Sequence, residues 1–119
     1  MIWEVEYTDE FGIWWKELSE KVQDSIAVVV GLLEAKGPHL GYPYSSDIKG
    51  SKYGRLRELR IQHQGKPYRV FYAFDPRRAA VLLVGGCKTE GERWYKKWIP
   101  IADRLYEAHL NELKEEDLV

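Results

Sequence analysis

Within the stretch KPYRVFYAFDPRRAAVLLVGGCK, from Lys66 to Lys88, two apolar segments meet at Asp75-Pro76. Arg69 interrupts the first segment, Lys88 closes the second, and Tyr95 follows seven residues later. A planar guanidinium grips two phosphate oxygens and does not deprotonate, so an arginine and a lysine on adjacent strands suit a phosphate during its transfer. Each residue also has a plain structural role. Arg69 can sit in a surface pair with Glu58, Lys88 can simply face solvent at a strand end, and Tyr95 can be a core aromatic of an amphipathic helix. As a base at neutral pH Tyr95 would be poor unless neighbouring cations lowered its value from about 10. As a donor or a stacking ring it needs no such help.

Other chemistry-bearing residues are sparse. His63 occupies a turn of a basic segment, where an imidazole titrating near 6.5 suits acid–base work. His39 lies in a loop and His109 near the C-terminus, and both read as passive. No His/Cys/Asp cluster has metal-ligand spacing, and no glycine motif cradles a phosphate. Cys87, the one cysteine, reads as a small, partly buried residue and excludes an internal disulfide framework.

Charge is partitioned along the chain. Residues 1–35 hold two lysines against eight Asp/Glu, whereas residues 48–78 hold nine Lys/Arg against Glu58 and Asp75. The net charge of −1 argues against coating nucleic acid at large, and one basic segment between acidic flanks suits a local anionic ligand. No apolar run has membrane-spanning length, and the N-terminus lacks the pattern of a signal peptide.

The elements that must position these residues follow from periodicity. With 119 residues, 45% of them hydrophobic, the chain is expected to form a single domain over residues 1–119. Residues 1–7 alternate as a half-buried strand. Thr8 caps a short helix over Phe11, Trp14 and Leu18, and Ser19 caps a second over Val22, Ile26, Val29, Val30 and Leu33. Gly37–Gly54 reads as a loop. RLRELRIQ, PYRVFYAF and AAVLLVGG, separated by HQGK and DPRR, read as an antiparallel meander. From Glu92 a helical stripe returns through Trp94, Trp98, Ile101, Leu105 and Ala108, with Pro100 expected to kink or restart it. The fold class is α+β, in the order β-α-α-β-β-β-α, with a small, mainly antiparallel sheet packed against helices. In the third strand Arg69, Phe71 and Ala73 face one way and Tyr68, Val70, Tyr72 and Phe74 the other. Arg69 is expected on a concave ligand face, with the second set against the helices.

That order, with LRELR, YRVFYAF, LLVGGCKT and IADRLYEAHL, resembles the RelE/ParE toxin superfamily, and within it the HigB-like, phage-derived toxins of type II toxin–antitoxin systems. The resemblance covers nearly the whole chain. It implies a ribosome-dependent, metal-independent mRNA endoribonuclease without a cofactor, acting in the cytoplasm and silenced by a cognate antitoxin, a HigA-like helix-turn-helix protein. ParE-like relatives instead poison DNA gyrase, and a non-catalytic, antitoxin-binding domain is a third reading. Carried over position by position, Arg69 falls on an essential arginine, Lys88 on the lysine after the last strand, and Tyr95 on a tyrosine opening the final helix. Lys49, Lys52, Arg57, Arg60, His63 and Arg93 are the RNA-binding candidates. Thr89 departs from the basic residue that commonly follows the lysine.

Overall fold

A computed structural model describes residues Ile2–Val119; Met1, the first residue of the expected N-terminal strand, lies outside the described residues. The elements run β1 (Val5–Tyr7), α1 (Asp9–Glu17), α2 (Glu20–Lys36), a 3₁₀ turn (Gly37–His39), β2 (Ser45–Asp47), β3 (Arg57–His63), β4 (Lys66–Phe74), β5 (Ala80–Cys87) and α3 (Glu92–Glu115). Both expected N-caps form: the Thr8 hydroxyl accepts from the Phe11 N–H, and Ser19 Oγ from that of Val22. The five strands make one mixed sheet in the order β1-β5-β4-β3-β2, with β1 parallel to β5 and every other pair antiparallel.

The sheet separates two apolar layers. Alternation along β4 sends Val70 and Tyr72 toward Phe11, Ile26 and Leu33 of α1 and α2, and sends Phe71 and Ala73 toward Trp94, Ala102 and Tyr106 of α3. Arg69 shares the α3 face, so the expectation of helices on only the other side is corrected: both faces are covered. The buried stripe of α3 runs Trp94, Ala102, Tyr106 and Leu113, while Ala108 is exposed. Pro100 lies inside α3 without ending it. Its ring is on an exposed turn, where the missing N–H costs least.

The sequence reading of Gly37–Gly54 as a plain loop is also corrected, because it contains β2 and buries Leu40, Ser45 and Ile48. The tripeptide Ser45–Asp47 carries no hydrophobic alternation. Hydrogen bonding holds it instead, with Ser45 Oγ 2.6 Å from the Tyr72 hydroxyl.

Two irregularities set the site's geometry. The β3–β4 hairpin turns on Gln64 and Gly65, both at positive φ (49° and 78°) as a two-residue turn of that hand requires. In β5 a bulge shifts the register so that Phe71 pairs with Val84 but Tyr72 with Leu82. Leu83 is the extra residue, and its carbonyl accepts the Thr8 hydroxyl at 2.6 Å. The bulge changes the phase of the strand. Ala80 and Leu82 face α1 and α2, whereas Val84, Gly86 and Lys88 fall on the α3 face with Arg69.

Candidate active site

Glu58 lies at the centre of the basic cluster. Alternation in β3 puts Leu59 and Ile61 under α2, and Glu58 and Arg60 on the α3 face. Arg60 is directly opposite Arg69 across the β3–β4 ladder, a like-charge pairing that destabilises a sheet unless an anion bridges it. Glu58, two residues before Arg60, supplies that anion. Its Oε2 accepts from Ser46 Oγ at 2.8 Å and Arg60 Nη1 at 3.3 Å, and its Oε1 accepts from the Tyr95 hydroxyl at 2.7 Å. Arg69 Nε stands 3.5 Å from the same Oε1.

The Arg69 guanidinium is held tightly. The residue is 5% exposed and Glu58 4%, so the alternative of a surface ion pair is corrected: the two residues do pair, but under cover of α3. Arg69 Nη1 donates to the Tyr68 carbonyl at 3.0 Å. Its Nε, although at ion-pair distance from Glu58, is buried without a hydrogen-bond partner. A buried, orphaned N–H on a cation is costly unless something else completes it, and such groups concentrate at functional sites.

Tyr95 roofs the cluster from the first turns of α3. Its ring stacks on Phe71 at 6.1 Å and 22°, with Trp94 edge-on at 5.4 Å. Lys88 Nζ stands over the same ring, 5.3 Å from its centroid. Burial, then the hydrogen bond to Glu58, raises the Tyr95 pKa, against a smaller lowering by Arg69. The phenol therefore stays protonated at neutral pH, and the condition under which it would serve as a base, a pKa lowered by neighbouring cations, is not met.

Close approach of both helical layers depends on the glycine pair at the end of β5. A Cβ on Gly86 would lie 3.0 Å from Trp94 Cζ2, and one on Gly85 only 2.3 Å from Trp14 Cζ3 on the other face. The two glycines let a tryptophan from each helical layer touch the strand backbone.

Beside the cluster lies a cleft of about 450 Å³, lined by Asp47, Ile48, Lys49 and Gly50 after β2 and by residues of α3, with Glu58 and Tyr95 within it. Of the candidate basic residues, Lys49 is on its rim and Arg60 is tied to Glu58, with its guanidinium 5.2 Å over the Tyr42 ring. Lys52 is drawn along α3: its backbone N–H donates to Asp103, and its ammonium lies 5.7 Å over Tyr53. Arg93 is exposed in the first turn of α3. Arg57 and His63 are not brought to the cluster. Both share the α2 face of β3, where Arg57 pairs with Asp47 and donates to Ser45 Oγ, and His63 Nδ1 is 2.7 Å from Ser25 Oγ.

The residues that sequence reasoning missed are Glu58 as a member of the site and Ser46 as its support. The available signal was parity, since Glu58 and Arg60 alternate in phase and Arg60 opposes Arg69. Among the described residues no group of three His, Cys, Asp or Glu side chains is placed to hold a metal ion.

Comparison with known proteins agrees with this architecture. Residues 13–107 match the family described as Phage derived protein Gp49-like (DUF891). Two Mycobacterium tuberculosis proteins named as candidate toxins are similar in sequence. HigB3 is 39% identical over 82% of this chain and 84% of its own length, and HigB2 is 30% identical over 90% of this chain. The chain spans about half the length of HigB2 (54%). Among solved structures, isolated E. coli RelE toxin superposes with a TM-score of 0.57 at 11% identity, over 80% of this chain and 94% of RelE. The RelE–RelB complex from Pyrococcus horikoshii gives a TM-score of 0.56 at 15% identity, over 76% of this chain and 100% of its counterpart. At those identities the likeness is one of fold. The sequence matches carry the assignment: this chain belongs to the phage-derived Gp49-like family, with HigB relatives and a RelE-like fold.

Proposed function

We propose that the chain is the toxin of a type II toxin–antitoxin pair and cleaves mRNA on the ribosome. One observation carries the reading: Arg69, Lys88, Glu58 and Tyr95 converge from three strands and a helix into one connected cluster beside an open cleft. In the proposed reaction the ribose 2′-oxygen attacks the adjacent phosphorus. The bond to the 5′-oxygen breaks, leaving a 2′,3′-cyclic phosphate and a 5′-hydroxyl. Glu58 takes the 2′-hydroxyl proton, and Tyr95, kept protonated by its surroundings, delivers one to the leaving oxygen. Arg69 and Lys88 meet the charge that grows on the phosphoryl oxygens. The protons and the charge are handled by side chains, so the mechanism assigns no metal or cofactor.

The cluster supplies charge and proton transfer but little to orient a flexible RNA. A ribosome that already positions its message supplies that orientation. Lys49, Lys52, Arg60 and Arg93 are the basic residues assigned to the RNA backbone. Arg57 and His63, on the far face, contact RNA only if the message wraps the β2 edge. The proposed setting is the cytoplasm, with the ribosome, mRNA and a HigA-like antitoxin as partners. No helix among the described residues is long and apolar enough to cross a membrane.

The test is induced expression followed by mapping of mRNA 5′ ends. Wild type should produce new 5′-hydroxyl ends within translated frames, and Arg69→Ala should not. Growth arrest with intact mRNA and accumulating DNA breaks would replace this reading with gyrase poisoning.

A further inference from the structure

We propose that the first two turns of α3, residues 92–99, form a lid that must swing away before Arg69 can meet a phosphate. Pro100 is its hinge, and the bond from Tyr95 to Glu58 is its latch. This deepens the reading of the chain as an RNA-cleaving toxin and rests on the role given there to Arg69.

Arg69 is hidden in the resting arrangement. The residue is buried, and its Nε, 3.5 Å from Glu58 Oε1, has no hydrogen-bond partner. The neighbouring cleft is lined by Glu58 and Tyr95 but not by Arg69. A guanidinium grips a phosphoryl oxygen only at about 3 Å, so here the cation and a phosphate cannot touch. Either β4 or its cover has to move. β4 is paired along both edges, to β3 and to β5, which leaves the cover.

The helix is fastened unevenly. Beyond Pro100 three side chains pin it. Asp103 accepts from Ser51 Oγ at 2.6 Å and from the Lys52 N–H at 2.9 Å, the Tyr106 hydroxyl donates to the Phe74 carbonyl at 3.0 Å, and His109 Nε2 lies 2.9 Å from Asp75 Oδ2. Before Pro100 the only side-chain hydrogen bond among the described residues is the one from Tyr95 to Glu58, at 2.7 Å. The two halves join where Pro100 has no N–H to donate four residues back, the place at which a helix bends most readily. At the other end Gly91 enters the helix at a φ of 58° with no side-chain cap. Every α3 residue lining the cleft (Glu92, Tyr95, Lys96, Ile99 and Pro100) belongs to the lid or its hinge, so an outward swing widens the cleft toward Arg69. Trp94, buried against Gly86, holds the lid shut at rest. Lifting it exposes apolar surface, so the open form is a minority of the free protein, and a message that binds only that form draws the population toward it.

The experiment labels the purified protein with phenylglyoxal, an arginine-selective reagent, and follows each arginine by peptide mass spectrometry, with exposed Arg78 as the reference. Arg69 should react far more slowly than Arg78, at a rate set by lid opening. Tyr95→Phe removes the latch and should speed Arg69 labelling about 5- to 30-fold relative to Arg78, the worth of a hydrogen bond to a charged group. Pro100→Ala returns an N–H to the hinge and should slow it about 3- to 10-fold, the worth of one net hydrogen bond. Hydrogen exchange of the β4 amides in the same samples reports global unfolding. An opening free energy for Arg69 equal to that of the β4 amides means that only global unfolding uncovers it, and overturns the lid. Labelling of Arg69 as fast as that of Arg78, or unmoved by Tyr95→Phe, does the same. A response to Tyr95→Phe without one to Pro100→Ala refutes the hinge, because the tyrosine side chain then moves alone. Labelling needs neither ribosome nor message, so its failure is read separately from a failure to cleave RNA.

Discussion

Removing either partner of the buried Glu58–Arg69 pair should destabilise the protein unequally, and the structure says which loss is worse. Arg69→Ala leaves Glu58 with three donors, from Tyr95, Ser46 and Arg60. The loss is one charged contact and one bond to the Tyr68 carbonyl, together about 1–3 kcal/mol. Glu58→Ala instead leaves Arg69, 5% exposed, opposite Arg60 with no anion between them. An uncompensated buried charge costs about 3–5 kcal/mol, a large share of the roughly 5–15 kcal/mol that holds a domain together. At about 3–5 °C per kcal/mol for a chain of this size, Arg69→Ala should melt some 5–10 °C below wild type and Glu58→Ala some 10–20 °C below. Thermal and urea unfolding measure both. The double variant Glu58→Ala/Arg69→Met should recover much of the loss, since it buries neither charge. At a temperature where all variants are folded, Arg69→Ala should still cleave about 100-fold more slowly or worse. If Arg69→Ala proves as destabilising as Glu58→Ala, the carboxylate is not the bridge and the reasoning fails.

Three further outcomes test other parts of the molecule. Tyr95→Phe keeps the ring on Phe71 and under Lys88 while deleting the donor to Glu58. It should cost about 1–2 kcal/mol in urea unfolding and about 100-fold or more in cleavage, and the phenolate signal it removes from a spectroscopic titration should lie above the usual tyrosine range. Asp75, where burial raises the pKa but bonds from Arg77, His109 and the Ala79 N–H bring it below the ordinary carboxylate value, contributes stability above the unfolded carboxyl pKa of about 4. That contribution should vanish as pH falls through the folded pKa, so Asp75→Asn should flatten the acid limb of stability measured by urea unfolding from neutral pH downward. Gly85→Ala, whose Cβ would stand 2.3 Å from Trp14, should destabilise by about 1–3 kcal/mol, and Gly86→Ala, at 3.0 Å from Trp94, by less; equal melting of the two would refute the tight contact with Trp14.

Much of the fold is legible because each element carries its own local signal. Thr8 and Ser19 announce their helices through the side chains that cap them, and the hairpin announces itself through Gln64-Gly65. β2 is illegible because three polar residues have no period, and its place is fixed by a hydroxyl pair with Tyr72 that spans 27 residues. The site is legible in residue type and obscure in phase. Arg69 and Lys88 stand out as cations on apolar strands, yet simple alternation from Leu82 would send Lys88 to the α1–α2 face. Only the bulge at Leu83 returns it to Arg69, and a bulge paired with a distant threonine hydroxyl leaves no local trace. Arg57 and His63 show the converse. Proximity along the chain to Arg60 suggested a shared role, but each lies an odd number of residues from it and so faces the other way.

The parallel pairing of β1 with β5 also governs the order in which the protein is completed during its own synthesis. Val5 pairs with Ala80 and Tyr7 with Leu82, so the first strand made must wait for the last. At synthesis rates of about 5–20 residues per second, the wait is about 4–15 s. For most of that interval, until β3 and β4 emerge, the N-terminal layer has helices but no strand to cover, and long-range pairing of this kind is slow to close. The same schedule applies to the proposed reactive cluster. Glu58 emerges 37 residues before Tyr95, and Lys88 and the bulge that turns it arrive between them. A nascent chain therefore exposes a lone carboxylate and scattered cations to the ribosome that is making it. The assembled cluster comes into being only after translation has passed Tyr95, in the first turns of α3.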